Sequence, residues 1–216
     1  MLRPGEEPDP AALLAPYAEE PAILIAVSGG PDSMALLWLA ARWARFAGRP
    51  RVEAATVDHG LRPEARAEAQ MVARAAKQWG VRHHILPWRG EKPVTRMQER
   101  ARAARYALLE ACAHRIGARV VLTAHHADDQ AETVLMRLFR GAGGSGLAGM
   151  KALSLSPANP QVHLFRPLLG FSRADLRSLL RRQGWPFRND ASNRDVRHTR
   201  NWIRRRLIPQ IGRAHV

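Results

Sequence analysis

A short apolar run that ends in a glycine-containing turn is the feature that most constrains the fold. Residues 22–27 read Ala-Ile-Leu-Ile-Ala-Val, without a charge, and residues 28–33 read Ser-Gly-Gly-Pro-Asp-Ser. An uninterrupted apolar run of this length is typical of a strand that is covered on both faces. Apolar residues then recur at helical spacing from Met34 to Phe46. The pattern therefore predicts a strand, a turn and a helix, as in a parallel α/β sheet.

The chemistry of the turn suits an anion such as phosphate. Gly29 and Gly30 have no Cβ, so phosphate oxygens can approach the backbone N–H groups at the positive end of the following helix. Ser28 and Ser33 add hydroxyl donors. Asp32 would repel a phosphate unless a cation lay between them, so the turn also predicts Mg²⁺. The alternative is an ordinary strand-to-helix turn in which Asp32 or Ser33 caps the helix.

The charge of the chain points to a polyanionic partner. The 216 residues carry a formal net charge of +15, with a pI near 11.6, which favours nucleic acid before a membrane surface. The only lysines are Lys77, Lys92 and Lys151, so nearly all of the positive charge is arginine. A solvated arginine surface that reflects genome composition is the alternative.

Cysteine content and hydropathy exclude several classes of protein. Cys112 is the only cysteine, which excludes an internal disulfide framework and a Cys-x-x-Cys metal or redox site. No apolar run approaches membrane-spanning length, and the first residues lack the apolar core of a secretory signal. We therefore expect a cytoplasmic protein with no membrane partner.

The remaining apolar runs extend the sheet. Strands are predicted at 52–57, 81–86, 119–124 and 162–165, which together with 22–27 make a mainly parallel α/β sheet of about five strands flanked by helices. The run at 52–57 ends in Asp58-His59-Gly60, which the carboxyl-end rule puts beside the turn, although a plain turn at Gly60 is equally consistent. We predict an arm at 1–20, a nucleotide-binding domain at 21–170 and a basic helical segment at 171–216.

A second cluster of ionisable residues follows the strand at 119–124. It reads His-His-Ala-Asp-Asp-Gln-Ala-Glu at 125–132. On a helix that starts near Asp128, Asp129 and Glu132 share a face, and hard oxygen ligands on one face suit Mg²⁺ held with substrate phosphates. The histidine pair raises the alternative of a transition-metal phosphohydrolase. Acids that complement the dipole of a first helical turn are the structural alternative.

Two basic stretches and one glycine-rich stretch complete the pattern. The helix predicted from Thr95 to Ile116 carries Arg102 and Arg105 on neighbouring faces, where they would meet RNA or a triphosphate unless they are merely solvated. Residues 141–150 contain five glycines and predict either a mobile loop that orders on substrate or a flexible linker. Near the C-terminus, arginines surround Trp202 in a pattern suited to binding phosphates and stacking a base.

Taken together, these motifs resemble those of the tRNA(Ile)-lysidine synthetases, a family of the PP-loop ATP pyrophosphatase superfamily. The resemblance rests on Ser-Gly-Gly-x-Asp-Ser at 28–33 and extends from about Ile23 to Pro209. The other matching motifs are Asp58-His59-Gly60-Leu61-Arg62, Arg102 with Arg105-Tyr106, His125-His126-x-Asp128-Asp129-Gln130-x-Glu132-Thr133, the glycine-rich run 140–150, Arg166-Pro167-Leu168-Leu169, and Asp190-x-Ser192-Asn193 before Arg200-Asn201 and Arg204.

The resemblance implies an adenine nucleotide alpha hydrolase-like fold and an ATP-dependent ligase that releases AMP and pyrophosphate. Such an enzyme adenylates the 2-carbonyl oxygen of the wobble cytidine in a tRNA(Ile) with anticodon CAU, and the amine of free lysine then displaces AMP to form lysidine. The implied cofactors are ATP and Mg²⁺, and a homodimer is one assembly that the resemblance allows.

The resemblance also implies roles for individual residues. Asp32, Asp129 and Glu132 would hold Mg²⁺ and, with Arg105, would form the catalytic group. Arg102, Arg166, Arg200 and Arg204 would contact tRNA. ATP would be bound by Ala26, Val27, Ser28, Gly29, Gly30, Pro31, Asp32, Ser33, Asp58, His59 and Ala124.

Two other functions remain open from the sequence, and two departures from the family are present. A tRNA thiolase or another PP-loop adenylating ligase is the first alternative, although the lone Cys112 favours an amine nucleophile. A non-catalytic RNA-binding module is the second. Asn189 stands where relatives tend to have an acid. Family members continue well beyond Pro209, so we expect this chain to stop short of their tRNA-binding modules.

Overall fold

The fold is built on one sheet, seen in a computed structural model that describes residues 7–46, 48–60, 64–90, 92–93, 95–188 and 199–213. The sheet has six strands in the order β3-β2-β1-β4-β6-β5. Neighbouring strands are parallel, except that β5 runs antiparallel to β6. The strands are β1 (Ala22–Ala26), β2 (Arg51–Asp58), β3 (Arg82–Pro87), β4 (Val120–Leu122), β5 (Leu153–Leu155) and β6 (His163–Phe165).

Helices connect and cover the strands. The described helices are α1 (Pro10–Leu14), which continues as a 3₁₀ turn at Ala15–Tyr17, then α2 (Pro31–Trp43), α3 (Glu64–Gln78), α4 (Met97–Ile116), α5 (Ala127–Phe139) and α6 (Arg173–Arg182). A 3₁₀ turn lies at Gly144–Leu147. Near the C-terminus, α7 (Thr199–Trp202), a π-helical stretch at Ile203–Leu207 and α8 (Ile208–Arg213) follow one another without a break.

The centre of the sheet is buried on both faces. Ile23, Leu24 and Ile25 of β1 have no exposed surface. One face is covered by a core to which α1, α2, α3 and α6 contribute, and the other by a smaller core formed with α4. Because both faces are covered, β1 reads as a continuous apolar run. This burial holds the carboxyl end of β1, and the turn that follows it, in a fixed position.

The mainly parallel sheet predicted from the sequence is confirmed, with six strands in place of about five. The additional strand is β5, in which Leu153 and Leu155 are exposed. Its three residues carry no buried apolar pattern and lie just after the glycine-rich run, so pairing with β6 defines the strand. The first long helix begins at Pro31, ahead of the expected Met34, because proline is well suited to the first helical position.

Packing joins the segments at both ends of the chain to the central core. Leu14 and Tyr17, in the stretch expected to be an arm, are buried in it. Leu176, Leu179 and Leu180 of α6 pack into the same core. The domain boundaries at residues 20 and 170 stay predictions. Within the described residues, no helix combines the length and the apolar character needed to cross a membrane.

Several sequence predictions lie outside the described residues. They concern Leu61 and Arg62, the departure at Asn189, and the motif Asp190-x-Ser192-Asn193.

Candidate nucleotide-binding site

The turn after β1 is organised by the hydroxyl of Ser33. The Ser33 Oγ accepts a hydrogen bond from the Ser28 N–H at 3.1 Å and donates to the Gly30 carbonyl at 3.0 Å. The Ser28 and Ser33 hydroxyls are 3.2 Å apart. Ser33 therefore closes the turn from inside. The first-turn N–H groups of α2 have no acceptor within the helix and lie at its positive end, as an anion site requires.

Gly29 gives the turn its shape and links it to a distant part of the chain. Its φ of +81° lies in the left-handed region that L side chains rarely adopt. Its carbonyl accepts a hydrogen bond from the backbone N–H of Arg188 at 3.0 Å. The Arg188 guanidinium lies 3.4 Å from the carboxylate of Glu68 on α3. The stretch after α6 thus returns to the turn.

Asp32 projects from the first turn of α2 toward the end of β4. Its Oδ2 lies 3.4 Å from Nε2 of His126 and 4.0 Å from Nε of Arg173. Its Oδ1 is buried and has no hydrogen-bond partner among the described residues. An orphaned carboxylate oxygen is costly to bury, so its position indicates a site for a cation or another donor.

His126 is the residue around which the acids gather. It is fully buried and forms the N-cap of α5 in a reciprocal capping box with Asp129. Its ring nitrogens lie 3.4 Å from Asp129 Oδ2 and 3.5 Å from Asp128 Oδ2. Arg173, the first residue of α6, has its Nη2 3.2 Å from His126 Nε2 and donates its backbone N–H to Asp128. His126 therefore connects the ends of β4, α2 and α6.

Glu132 lies one turn further along α5 and faces the C-terminal helices. It has no exposed surface. Its Oε2 accepts from Arg200 Nε at 2.9 Å and from Arg204 Nη2 at 3.0 Å, while its Oε1 accepts from Arg204 Nε. Burial lowers the pKa of Arg204, but its contacts with Glu132 outweigh that effect and leave the pKa above its ordinary value. Glu132 thus anchors the C-terminal segment.

The remaining predicted nucleotide contacts lie around the same edge of the sheet. Ala26 and Val27 continue β1, with the Val27 N–H bonded to the Ala55 carbonyl at 2.8 Å. Asp58 Oδ1 accepts from the Gly60 N–H at 2.9 Å, which shapes the turn after β2. Arg105 Nη2 lies 3.5 Å from His59 Nε2. Ala124 follows β4 and is partly buried.

His125 differs from its neighbour His126 in its surroundings. Its Nδ1 lies 3.0 Å from the hydroxyl of Thr123. Desolvation by burial lowers the pKa of His125 to about 4, against an opposing effect of Asp129. The imidazole is therefore neutral at pH 7 and adds no positive charge to the site.

The four arginines predicted to contact tRNA are in different environments. Arg102 is exposed and stacks over Tyr106, with its guanidinium 5.0 Å from the ring centre. Arg166 is only 8% exposed, and its Nη1 donates to the Lys151 carbonyl at 2.8 Å and to Ser154 Oγ at 3.0 Å. Arg200 and Arg204 are the partners of Glu132. The contact of Arg166 with tRNA stays a prediction, but its side chain here joins β6 to the β5 region.

The glycine-rich stretch is held to α5 at two places. Gln130 exchanges two hydrogen bonds with the backbone of Met150, at 2.6 and 2.7 Å. Arg137 donates to the carbonyls of Gly146 and Gly149 at 3.2 and 2.9 Å. A Cβ on Gly149 would lie 3.0 Å from Gln130 Oε1. These contacts anchor the second half of the stretch that the sequence predicted to be mobile or a linker.

The arrangement bears on the predicted Mg²⁺ ligands. Among the described residues, no three or more His, Cys, Asp and Glu side chains are arranged to hold a metal ion. Asp32 and Asp129 approach each other through His126, and Asp32 keeps an unpartnered oxygen. Both oxygens of Glu132 are already bonded to arginines. Asp32 and Asp129 therefore fit Mg²⁺ better than Glu132 does.

Two residues of this cluster were missed as site residues from the sequence. His126 was noted only as half of a histidine pair, because histidine is not among the residues that commonly cap a helix, and its capping box with Asp129 is seen only in the structure. Arg173 carries no local signal that relates it to Asp32, because the contact depends on how α6 packs against α2.

Comparison with known proteins agrees with this geometry. A family model described as a PP-loop domain matches residues 8–211. A tRNA(Ile)-lysidine synthase from Bradyrhizobium sp. (strain BTAi1 / ATCC BAA-1182) is 54% identical over 201 residues, which are 93% of this chain and 55% of that protein. The same enzyme from Rhodopseudomonas palustris is 50% identical and covers 93% of this chain and 57% of that protein. The chain thus spans little more than half the length of these curated relatives.

Solved structures share the fold at low sequence identity. The U34-tRNA thiolase NcsA from Methanococcus maripaludis superposes with a TM-score of 0.70 at 16% identity, over 84% of this chain and 64% of that one. The phosphoadenylyl-sulfate reductase from Candida auris superposes with a TM-score of 0.53 at 12% identity, over 84% of this chain and 82% of that one. With a matching family model over nearly its whole length, the chain belongs to the PP-loop family.

Proposed function

We propose that this chain is the catalytic part of a tRNA(Ile)-lysidine synthase. In this reaction ATP activates the wobble cytidine of a tRNA(Ile) with anticodon CAU, and free lysine is joined to position 2 of the base. The observation that carries the proposal is the identity of half or more of the aligned residues with tRNA(Ile)-lysidine synthases, over nearly the whole chain. The thiolase shares the fold at a far lower identity.

The proposed chemistry has two steps. In the first, the 2-carbonyl oxygen of cytidine attacks the α-phosphorus of ATP, the bond to the β-phosphate oxygen breaks, and pyrophosphate leaves. In the second, the lysine amine attacks C2, loses a proton, and AMP leaves with the former carbonyl oxygen. The first step needs donors for the charge that develops on the phosphates. The N-terminal end of α2 and the turn at 28–33 supply them.

Acidic residues would hold the metal ion, and basic residues would contact the nucleotide and position the acids. When bound, Mg²⁺ would neutralise triphosphate charge, and Asp32 and Asp129 are the residues that would hold it; one or two carboxylates with substrate phosphates commonly suffice for this ion. Arg105, beside His59, would reach the nucleotide from α4. His126 would keep Asp32 and Asp129 facing each other.

The basic face of α4 is the proposed entry for RNA. Arg102 and Arg105 are exposed on neighbouring faces of this helix, and Arg105 lies 3.5 Å from His59, which follows β2. Exposed arginines can bind backbone phosphates and still exchange with solvent. Arg200 and Arg204 would act differently, because their contacts with Glu132 set the position of the C-terminal segment.

The proposal is tested by mass spectrometry of the modified base. The chain is incubated at high concentration with a tRNA(Ile) CAU transcript, ATP, Mg²⁺ and lysine, and the digested RNA is examined for lysidine. We expect lysidine to form, and pyrophosphate to be released only when tRNA is present. A transcript with uridine at position 34 is the control and should not react.

A second readout separates the rival functions. Omitting lysine should still permit pyrophosphate release but should leave adenylated tRNA, whereas a thiolase would turn over with a sulfur donor in place of lysine. Failure to release pyrophosphate with any tRNA would favour the RNA-binding module. A homodimer is part of the proposal only as an assembly to test by sedimentation, with a dimeric mass as the supporting result.

A further inference from the structure

A cavity away from the phosphate turn is lined by tryptophans and arginines. Its volume is about 410 Å³, and its lining includes Trp38, Arg42, Arg45, Trp79 and Trp185, with no residue of the turn at 28–33. Cavities of this size are typical of small-ligand sites, which range from about 300 to 1,000 Å³. The cavity lies where the C-terminal ends of α2, α3 and α6 meet.

Arg42 forms a flat platform in this cavity. Its guanidinium lies 4.6 Å from the ring centre of Trp38, and its Nη1 donates to Glu7 Oε2 at 3.0 Å. Gln183 Nε2 holds the other oxygen of Glu7 at 3.1 Å. Glu7 therefore balances part of the charge of Arg42, although it also lies 4.0 Å from Arg182, and 45% of the Arg42 side chain stays exposed. A guanidinium plane held in this way can stack with a nucleobase.

Two tryptophans supply a second aromatic wall. The rings of Trp79 and Trp185 meet edge to face, with centres 4.8 Å apart and planes at 88°. Trp79 is buried in the core, whereas Trp185 retains partial exposure. Because Trp79 fixes the ring of Trp185, the exposed surface of Trp185 is ordered before a ligand binds, which lowers the entropic cost of stacking.

Arg45 adds a positive charge that has no partner in the described part of the chain. It is exposed in the turn after α2, one helical turn beyond Arg42, and no hydrogen bond or ion pair of its guanidinium occurs there. Aromatic and guanidinium planes beside an unbalanced arginine suit a ligand with a planar ring and an anionic group. A phosphate carried on a nucleoside meets both requirements.

We propose that this cavity binds a pyrimidine or purine nucleotide, with the base stacked between Arg42 and Trp185 and the phosphate held by Arg45. Two sources share this chemistry, a free mononucleotide and an unpaired nucleotide of RNA. The basic net charge of +15 favours RNA as the source. The inference does not depend on the proposed ligase reaction, since the cavity and the phosphate turn have no residue in common.

The chain carries its own reporters for the test. The indole N–H signals of Trp38, Trp79 and Trp185 report on the cavity, whereas Trp88, whose ring lies 5.8 Å from that of His59, reports on the candidate nucleotide-binding site. Each signal is assigned with a single Trp→Phe variant in nitrogen-15 NMR. The chain is titrated with cytidine monophosphate, with a single-stranded cytidine pentanucleotide, and with an acidic peptide of glutamate and phenylalanine.

We expect a nucleotide ligand to shift the three cavity signals in a saturable way. Arg45→Glu should weaken this binding at least tenfold, the effect of losing one hydrogen bond between charged groups. Arg74→Glu makes the same charge change on the exposed face of α3, outside the cavity lining. This variant should bind the nucleotide with an affinity within about twofold of that of the unmodified chain. Thermal melting of both variants checks that they remain folded.

The two sources and the rival ligand give different results. Equal affinity for the monophosphate and the pentanucleotide supports a free nucleotide, and binding of the pentanucleotide alone supports RNA. The proposal is overturned if neither nucleotide moves the cavity signals, if Arg45→Glu binds as well as the unmodified chain, or if only the acidic peptide binds.

Discussion

Asp32 and Glu132 belong to the same acidic cluster, but the protein treats them in opposite ways. Glu132 is fully buried, and both of its oxygens accept hydrogen bonds from arginines. Asp32 is also largely enclosed, yet its Oδ1 has no partner among the described residues. A buried charge must be paired within the protein or by a ligand. From this difference we expect that Glu132 serves the fold and that Asp32 is the acid available to a bound group.

The largest expected effect is the loss of activity on substitution of Asp32, the acid with an unpartnered oxygen. Asp32→Asn should lower pyrophosphate release by about 10²- to 10³-fold, the range seen when one transition-state charge contact is lost. Its thermal stability should change little, because Asp32 Oδ1 has no described partner and Oδ2 keeps only long contacts, 3.4 Å to His126 and 4.0 Å to Arg173. Steady-state release and melting curves are measured on one preparation. Glu99→Gln, an exposed acid in the first turn of α4, is the matched control; activity of Asp32→Asn within threefold of the control would remove Asp32 from catalysis.

The next effect is the loss of stability on substitution of Glu132, the acid with both oxygens bonded to arginines. Glu132→Ala should lower the free energy of unfolding by about 3 kcal/mol, because a buried ion pair is broken and Arg204 loses both hydrogen bonds to Glu132, keeping only Asp129 at 3.8 Å. Urea unfolding followed by the total tryptophan emission, to which Trp202 on α7 contributes, measures the loss. If stability were unchanged and Mg²⁺ dependence shifted instead, Glu132 would be a metal ligand, as its place in the motif predicts.

A smaller effect is the pH dependence of stability, to which His125 in the candidate site and His83 in the sheet both contribute. Burial lowers the pKa of His125 and of His83 to about 4, so the unfolded chain takes up protons below pH 6.5 before the folded chain does. Stability should therefore be full above pH 6.5 and fall as the pH is lowered, by about 2 kcal/mol for each histidine at pH 5.

His83 provides the control for this pH effect. It lies on β3, where its Nε2 is 2.9 Å from the hydroxyl of Thr56, away from Asp32 and Glu132. His83→Gln should reduce the pH dependence of urea midpoints between pH 7 and 5 without changing pyrophosphate release. An unaltered pH dependence in this variant would show that His83 is not the titrating group.

The smallest effect tests whether the cap of α6 positions Arg173 relative to Asp32. Ser172 caps α6 in a capping box with Asp175, so Ser172→Ala should cost about 1 kcal/mol of stability. Because Arg173 follows the cap and lies 4.0 Å from Asp32, a several-fold fall in pyrophosphate release should accompany it. Ser178→Ala, further along the same helix, is the control. Equal pyrophosphate release by the two variants would show that the cap of α6 does not affect the candidate site.

Local patterns were enough to predict much of the fold, including the strand, turn and helix around residues 28–33. The continuous apolar run of β1 and the glycines at 29 and 30 have physical consequences that act over a few residues, namely burial on two faces and close approach of backbone. The Ser172 cap and the position of Cys112 within α4 were likewise readable. In contrast, β5 is defined by its partner strand, and its own residues do not mark it.

The partners of the acids could not be predicted, because they depend on tertiary packing. Glu132 and Asp129 share a helical face in the sequence, but only the return of the C-terminal helices brings Arg200 and Arg204, which are 68 and 72 residues away, onto Glu132. The burial of Arg166 depends in the same way on the Lys151 carbonyl and Ser154. A motif identifies the ionisable residues, and packing decides whether each charge is paired within the protein or left available to a ligand.

The backbone bond from Arg188 to the Gly29 carbonyl joins the turn at 28–33 to the segment that carries Trp185. Trp185 is only three residues before Arg188, and the intervening proline stiffens that short tether. A ligand that displaces Gly29 would also move this segment and change the surroundings of Trp185. A shift of the Trp185 signal therefore counts as binding in the cavity only when the signals of Trp38 and Trp79 move with it.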